Sequence, residues 1–172
     1  MKKFLLFISA SLLIQVIAYA QLPTGSTAPD FTVTDIDGNV HNLYSILDEG
    51  KPVLLDLFAV WCGPCWSFAE TGVFDEFHQL YGSEGNNSAA IFSIEADPST
   101  PSSDIYGGSG SVGDWTSLIH HNIINDDGIA DLYLLAYYPT IYLICPDRTV
   151  TAIGQGPGWD SNYWTVETLG KL

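Results

Sequence analysis

Two cysteines, Cys62 and Cys65, offer the clearest chemistry in this sequence. Gly63 and Pro64 separate them, and the apolar run at 53–59 comes just before them. A short and nearly continuous apolar run predicts a strand buried on both faces. The residues after the cysteines have helical spacing. A strand that leads into C-x-x-C at the start of a helix is the context of a thiol–disulfide redox pair.

The place of each cysteine in this context predicts its role. Cys62 would lie at the helix N-terminus, where unpaired backbone N–H groups and the helix dipole favour a thiolate. Pro64 suits the first turn, because its missing N–H would have had no intrahelical partner. Cys65 would lie one turn deeper and be more buried. We therefore expect Cys62 to attack a substrate disulfide and Cys65 to resolve the mixed disulfide.

Zinc binding and a purely structural disulfide are the alternatives for this pair. A tetrahedral zinc site needs four ligands, and the other candidates do not form a second C-x-x-C or H-x-x-x-H pair; they are Cys145, His41, His78, His120 and His121. We expect no metal site, and adjacent His120 and His121 would point apart on a helix. Gly-Pro between the cysteines favours a redox pair over a structural disulfide. We interpret Cys145 as a buried, unreactive thiol, although an odd cysteine can also be reactive.

Several motifs resemble the thioredoxin superfamily. The run W-C-G-P-C at 61–65 is similar to its active-site motif, and Asp56 stands where its members carry a buried carboxylate that assists the second cysteine. Tyr138-Pro139-Thr140 resembles the segment whose cis-proline faces the disulfide. Ala28-Pro29-Asp30-Phe31, followed by an Asp-Gly turn, resembles the secreted thioredoxin-like branch. The resemblance covers roughly residues 28–172.

Asp56 can be interpreted in two ways. A carboxylate inside an apolar run is costly to ionise, so burial should raise its pKa. Such an acid can relay a proton to or from Cys65, or a nearby hydroxyl or water can simply satisfy it. The resemblance favours the proton-relay role. It also implies that Glu95 or Asp97 could tune the acid, although solvated loop carboxylates are the simpler interpretation.

The resemblance also implies a docking surface for substrates. Trp61, Gly63 and Pro64 would form one side of it, and Tyr138 with Pro139 the other. A cis bond before Pro139 would expose a backbone edge, to which an extended substrate can add as a strand. A trans proline at the start of an edge strand is the alternative.

The order of elements predicts an α/β fold. We expect a thioredoxin fold with a central mixed sheet flanked by helices, an N-terminal β-hairpin and an insertion before the cis-proline segment. The helix after Cys62 should run to residues 81–82, and further helices are expected at 115–124, 129–135 and 163–172. The insertion covers about 98–125 and is rich in Ser, Pro and Gly at its start. Loops of this length are commonly functional or mobile, so partner selectivity is expected there.

Residues 1–20 predict a signal peptide, followed by one domain at 21–172. Lys2 and Lys3 precede an apolar stretch that ends in Ala18-Tyr19-Ala20, a small-x-small cleavage site. The stretch is short for a membrane span, so we expect an exported protein, periplasmic or secreted, without a stable span after cleavage. The formal net charge is −15, from 5 basic and 20 acidic residues. Such a charge excludes nucleic acid as a partner.

These observations predict an exported protein thiol–disulfide oxidoreductase, acting as a reductase and fed by an upstream dithiol donor. We expect no cofactor and a monomer. The direction of electron flow stays open between reductase, oxidase and isomerase, since modest changes around the pair shift its potential. The alternatives are a redox-inactive binding module that acts through its insertion, and a peroxidase. The sequence lacks the T-x-x-C of peroxiredoxins at Cys62.

Overall fold

A five-stranded mixed sheet organises the fold, in the order β5-β4-β3-β6-β7. The computed structural model of the protein describes residues 21–126 and 128–153. The predicted signal peptide and the helix predicted at 163–172 lie outside these residues. The strands are β1 (Thr32–Thr34), β2 (Val40–Asn42), β3 (Val53–Phe58), β4 (Ala90–Glu95), β5 (Asn122–Asn125), β6 (Thr140–Ile144) and β7 (Val150–Ile153). The helices are α1 (Leu43–Asp48), α2 (Gly63–Ala69), α3 (Val73–Tyr81) and α4 (Gly128–Leu132).

Strand β3 lies at the centre of the sheet, as its apolar run predicts. It pairs in parallel with β4 and antiparallel with β6, and all six of its residues are buried. Successive side chains of a strand point to opposite faces. Accordingly, Leu55 and Leu57 pack with the N-terminal hairpin, α1 and α4, whereas Leu54 packs with α2 and α3. The sheet therefore has elements on both faces, and Asp56 belongs to the α2–α3 side.

The single helix predicted from Cys62 to residues 81–82 is wrong, because two helices occupy this stretch. Helix α2 ends at Ala69 and α3 begins at Val73. Gly72 between them has a φ of 66°, in the left-handed region that glycine adopts without steric cost. The break redirects the chain, so that α3 presents Phe74 and Phe77 to the sheet.

The helix predicted at 115–124 is also wrong. Asp114 caps a helical turn here, since its side chain accepts a hydrogen bond from the Thr116 N–H, but this turn is a 3₁₀ helix of only three residues, Trp115–Ser117. The chain then becomes edge strand β5, which pairs in parallel with β4. Ile123 and Ile124 are buried there. Two adjacent apolar residues are compatible with both the helical and the strand periodicity. Pairing with β4 therefore determined that this segment is a strand.

The predicted N-terminal hairpin is present, and a second hairpin closes the sheet. Strands β1 and β2 pair antiparallel around the Asp-Gly turn, and β6 pairs with β7 through residues 145–149. The helix predicted at 129–135 is shorter, since α4 covers Gly128–Leu132. Among residues 21–126 and 128–153, no helix combines the length and the apolar character needed to cross a membrane.

Candidate active site

Cys62 and Cys65 form a disulfide at the start of α2. Their Cα atoms lie 5.2 Å apart. Cys62 is the N-cap residue of α2, and its Sγ accepts a hydrogen bond from the Cys65 N–H at 3.1 Å. Pro64 lies in the first turn, where no backbone donor is needed. Cys62 Sγ therefore sits among the unpaired N–H groups of a helix start, an environment that favours a thiolate.

A groove of about 450 Å³ opens beside the disulfide. Both cysteines are buried, at 3% exposure for Cys62 and 2% for Cys65, so burial alone distinguishes them less than the sequence predicted. Access distinguishes them better, because Cys62 lines the groove and Cys65 does not. The lining residues are Trp61, Cys62, Gly63, Pro64, Leu135, Ala136, Tyr137 and Tyr138.

The segment before β6 forms the facing wall of the groove. The Tyr138–Pro139 peptide bond is cis, as the sequence predicted. The Tyr138 ring meets the Trp61 ring edge to face, with centroids 5.8 Å apart, and Pro139 is buried. Two aromatic side chains from distant parts of the chain thus frame the sulfur of Cys62.

The segment between β4 and β5 is anchored against the active site. Trp115 is fully buried, and its Nε1 donates to the carbonyl oxygen of Val60 at 3.1 Å and to Ser111 Oγ at 3.0 Å. Its ring packs on Phe58 and Trp66, with centroids 4.5 and 5.2 Å apart. The insertion predicted to select partners therefore contacts the strand end and the helix that hold the two cysteines.

Asp56 is buried on the α2–α3 side of the sheet, at 4% exposure. Its Oδ2 accepts a hydrogen bond from the Ser93 hydroxyl at 3.2 Å, whereas Oδ1 makes none with the residues that the structure describes. Burial raises the pKa of Asp56 to about 7, although the Ser93 hydrogen bond opposes this shift. Asp56 lines a small cavity together with Ala69. Ala69 lies four residues after Cys65, on the same face of α2.

Glu95 and Asp97 occupy different environments, and neither makes a hydrogen bond to Asp56 that the structure shows. Glu95 is buried at the end of β4, so its interpretation as a solvated loop carboxylate is wrong. Burial raises its pKa to about 7. Asp97 is half-buried, and its Oδ2 accepts from Trp61 Nε1 at 2.6 Å. Burial, together with the charges of Asp97 and Glu95, raises the pKa of Tyr138 to about 12.

His120 and His121 do not point apart, contrary to the sequence-based expectation. They lie in a turn before β5, and both contact Asp75 of α3: His120 Nδ1 at 2.7 Å from Oδ2, and His121 Nδ1 at 2.6 Å from Oδ1. The other ring nitrogen of His121 lies 2.9 Å from Ser93 Oγ. Sequence reasoning missed this cluster because it placed the two histidines on a helix.

Cys145 lies apart from the active site, at the end of β6. Cys145 is half-buried and therefore more exposed than the buried thiol that was predicted. It packs at the edge of the apolar cluster around Leu54, Phe74 and Phe77, whereas Cys62 and Cys65 belong to a different cluster. Within residues 21–126 and 128–153, no group of three or more His, Cys, Asp or Glu side chains could hold a metal ion.

Known proteins with similar sequences are thiol–disulfide oxidoreductases. The chain is 37% identical over 67 residues to thiol-disulfide oxidoreductase ResA of Geobacillus kaustophilus, a match that covers 39% of this chain and 36% of that protein. It is 29% identical over 136 residues to ResA of Oceanobacillus iheyensis, covering 77% of this chain and 65% of that protein. The chain thus matches little more than a third of the first of these relatives. No protein-family model matches the sequence.

A solved structure has the same architecture. The thioredoxin domain of a thiol-disulfide oxidoreductase from Bacteroides vulgatus superposes with a TM-score of 0.60 at 23% identity, covering 86% of this chain and 98% of that one. The chain therefore has a thioredoxin-like fold, with its Cys62–Cys65 pair at the C-terminal end of the central strand.

Proposed function

We propose that the chain is an exported thiol–disulfide oxidoreductase that reduces disulfides in other proteins with a Cys62/Cys65 dithiol. The observation that carries this proposal is the asymmetry of the pair. Cys62 Sγ sits at the start of α2 and on the groove, whereas Cys65 lies behind it, within reach of the same sulfur through the disulfide. This arrangement suits an attacking and a resolving thiol. The names of the sequence relatives support the same chemistry.

The reaction transfers two electrons to the substrate. The Cys62 thiolate attacks one sulfur of the substrate disulfide, forms a mixed disulfide and releases the other substrate sulfur as a thiolate. Cys65 then loses its proton and attacks Cys62 Sγ. This step forms the Cys62–Cys65 bond and releases the second substrate thiolate. An upstream dithiol protein returns two electrons to the pair, so the cycle calls for no cofactor.

The remaining groups of the site divide into docking and proton handling. Trp61, Gly63 and Pro64 would contact the substrate chain from one side, and Tyr138 with Pro139 from the other. Asp56 would accept the proton of Cys65, because a pKa of about 7 lets it change protonation state near neutral pH.

Export is part of the proposal and rests on the leader pattern at 1–20. Outside the cytosol a dithiol tends to be oxidised unless a donor keeps it reduced. A reductase there depends on such a donor. Fractionation of cells that express the full chain, with N-terminal sequencing of the product, tests this point. An intact leader on a cytosolic product would contradict it.

A redox titration of the protein in thiol/disulfide buffers tests the activity. Alkylation followed by mass spectrometry would score each of the three cysteines separately. We expect a reversible Cys62–Cys65 couple near the thioredoxin potential of about −270 mV. A value near about −120 mV, typical of strong oxidants, would reverse the proposed electron flow.

A second outcome would remove the enzymatic proposal altogether. If the pair stayed disulfide-bonded through strongly reducing buffers, the disulfide would have a purely structural role. The chain would then be better explained as a binding module that acts through residues 98–125. Oxidation of Cys62 by hydrogen peroxide with rapid turnover would instead indicate a peroxidase.

A further inference from the structure

A continuous chain of hydrogen bonds leads from Asp56 to the protein surface. Asp56 Oδ2 lies 3.2 Å from Ser93 Oγ, and Ser93 Oγ lies 2.9 Å from His121 Nε2. His121 Nδ1 lies 2.6 Å from Asp75 Oδ1, and Asp75 Oδ2 lies 2.7 Å from His120 Nδ1. We call these five side chains the relay chain. Four structural elements contribute to it: β3, β4, α3 and the turn before β5.

The two ends of the relay chain have opposite exposure. Asp56 and Ser93 are 4% and 1% exposed, and the His121 side chain is 3% exposed. The Asp75 side chain is 14% exposed, and that of His120 is 66% exposed. The first three side chains are thus almost completely buried, and solvent access rises at Asp75 and again at His120. A proton on Asp56 has a hydrogen-bonded route to bulk water that avoids the substrate groove.

We propose that the relay chain carries the proton of Cys65 from Asp56 to solvent while a substrate covers the groove. This inference rests on the proposed reductase function and adds Ser93, His121 and Asp75 to it as positioning residues. Asp56 itself would exchange a proton with the reacting thiol. The other three would set the direction and speed of its release.

Ser93 can pass a proton between Asp56 and His121, because its hydroxyl has one hydrogen and can donate it to either neighbour. When Asp56 is protonated, its Oδ2–H donates to Ser93 Oγ and the Ser93 O–H donates to His121 Nε2. Transfer of both protons leaves ionised Asp56 and an imidazolium at His121, with Ser93 now donating to Asp56. The net charge of the two groups is unchanged, although both become ionised. The imidazolium then gives its Nδ1 proton to Asp75 Oδ1, the protonated Asp75 carboxyl turns and passes that proton from Oδ2 to the unprotonated Nδ1 of His120, and exposed His120 releases a proton to water.

Asp75 makes the imidazolium form accessible. Burial lowers the pKa of His121, and the contact with Asp75 opposes that shift. The hydrogen bonds from His121 and His120 outweigh partial burial and hold the pKa of Asp75 at about 2. Asp75 is therefore an anion that orients His121, with Nδ1 protonated and Nε2 facing Ser93. His78 of α3 also faces His121, with ring centroids 6.2 Å apart.

The Ser93–His121–Asp75 part of this chain has the order of a hydrolytic triad, but its surroundings are different. Ser93 lies in a central strand at 1% exposure and points its hydroxyl at a second carboxyl, that of Asp56. A nucleophilic serine must reach a substrate carbonyl and an oxyanion-binding pair of donors. Ser93 is buried inside the sheet and its hydroxyl contacts only Asp56 and His121 in the described hydrogen bonds. A substrate carbonyl cannot approach it there, so proton transfer is the chemistry that this arrangement supports.

Reaction of the reduced protein with 4,4′-dithiodipyridine tests the proposal in a single experiment. On a Cys145→Ser background, each molecule should release two thiopyridone groups in two phases. The first phase reports attack by Cys62, and the second reports deprotonation and attack by Cys65. The first phase is thus an internal control for the second. Stopped-flow traces between pH 5 and 9 would give both rates for each variant.

Ser93→Ala and Ser93→Thr form the matched pair of variants. Ala removes the hydroxyl and Thr keeps it in a strand that favours β-branched residues. We expect Ser93→Ala to slow the second phase by about tenfold or more near pH 7 and to shift the midpoint of its pH dependence to higher pH. The rate of the first phase should be unchanged. Ser93→Thr should restore the second phase. Equal second phases in the parent and Ser93→Ala would overturn the proposal, as would equal slowing by Ala and Thr.

A separate readout keeps this inference distinct from the reductase proposal. If the parent protein releases no thiopyridone from Cys62 and Cys65, the reductase proposal fails. The relay chain is then judged by nuclear magnetic resonance of the oxidised protein. A shared proton predicts that the Asp56 carboxyl carbon and the His121 ring nitrogens titrate together in the parent and separately in Ser93→Ala. Independent titration in the parent would overturn the relay.

Discussion

Trp61 Nε1 donates a hydrogen bond to Asp97 Oδ2 at 2.6 Å and so joins the residue before Cys62 to the loop after β4. The Trp61 side chain is about half exposed. An exposed aromatic ring would otherwise sample several rotamers, and ordering it on binding costs free energy. The contact with Asp97, together with the Tyr138 ring, holds it at the edge of the groove.

The Trp61 contact predicts a defect in substrate docking for Asp97→Asn. The new amide would point an N–H at the indole N–H and break the contact, while its oxygen keeps the hydrogen bonds that Asp97 Oδ1 accepts from Ser99. We expect the Michaelis constant for a protein disulfide to rise about fivefold, corresponding to on the order of 1 kcal/mol. Steady-state reduction of insulin measures it.

The control for this prediction is Ser99→Ala. This variant removes the side-chain hydrogen bond to Asp97 and leaves the Trp61 contact in place. An equal rise for Ser99→Ala would assign the effect to the loop rather than to Trp61. A shift of the Cys62–Cys65 potential in Asp97→Asn would also contradict a docking role.

The raised pKa of Asp56 predicts an unusual dependence of stability on pH. Burial raises its pKa from 3.8 to about 7, so between these values the folded state binds more protons than the unfolded state. The free energy of unfolding therefore falls as pH rises through this window. Glu95 changes the free energy of unfolding in the same direction, since burial raises its pKa from 4.5 to about 7. Asp75 acts oppositely and only below about pH 4, because its pKa lies at about 2.

Asp56→Asn isolates the contribution of this carboxyl. Its amide oxygen can still accept from Ser93, and it does not ionise. We expect the variant to gain on the order of 2–4 kcal/mol over the parent between pH 4 and pH 8, measured by urea unfolding of the oxidised proteins. A pH-independent difference between the two proteins would show that Asp56 does not titrate in this range.

Trp115 predicts how strongly the β4–β5 segment is coupled to the active site. Trp115→Ala removes a fully buried ring and both of its hydrogen bonds, at a cost of about 3–5 kcal/mol in the free energy of unfolding. Trp115→Phe keeps most of the packing and leaves the carbonyl of Val60 with one donor fewer, so a loss of about 1–2 kcal/mol is expected. Thermal and urea unfolding measure both. Losses below about 1 kcal/mol for Ala would indicate that this segment can detach without cost to the core.

Local sequence patterns correctly predicted the parts of the fold in which the pattern is compatible with only one kind of secondary structure. The apolar run at 53–58 has no polar face for a surface helix to present, and the Asp-Gly turn fixes the first hairpin. The pairing of Cys62 with Cys65 was predicted correctly, because a spacing of three residues within one helical turn is a local pattern. The Tyr138–Pro139 segment was identified by resemblance.

Other parts depend on contacts between distant residues, which local patterns do not contain. Gly72 interrupts a stretch whose apolar spacing is otherwise helical on both sides. Ile123 and Ile124 became a strand because β4 offered a free edge. The relay chain needs β3, β4 and α3 to converge on His121, and only the tertiary fold brings Ser93 and Asp75 to that ring. Its one sequence signal was an adjacent His-His pair close to an apolar strand.

The unequal access of the two cysteines predicts opposite outcomes for their serine variants. Cys65→Ser leaves Cys62 on the groove but removes the resolving thiol, so mixed disulfides with substrate proteins should accumulate on Cys62. Cys62→Ser leaves Cys65, which does not line the groove, so we expect this variant to trap at least about tenfold less substrate. On a Cys145→Ser background, nonreducing gels and mass spectrometry count the adducts. Adducts on Cys65 at comparable yield would show that the groove does not select the attacking sulfur, and the assignment of the nucleophile to Cys62 would be wrong.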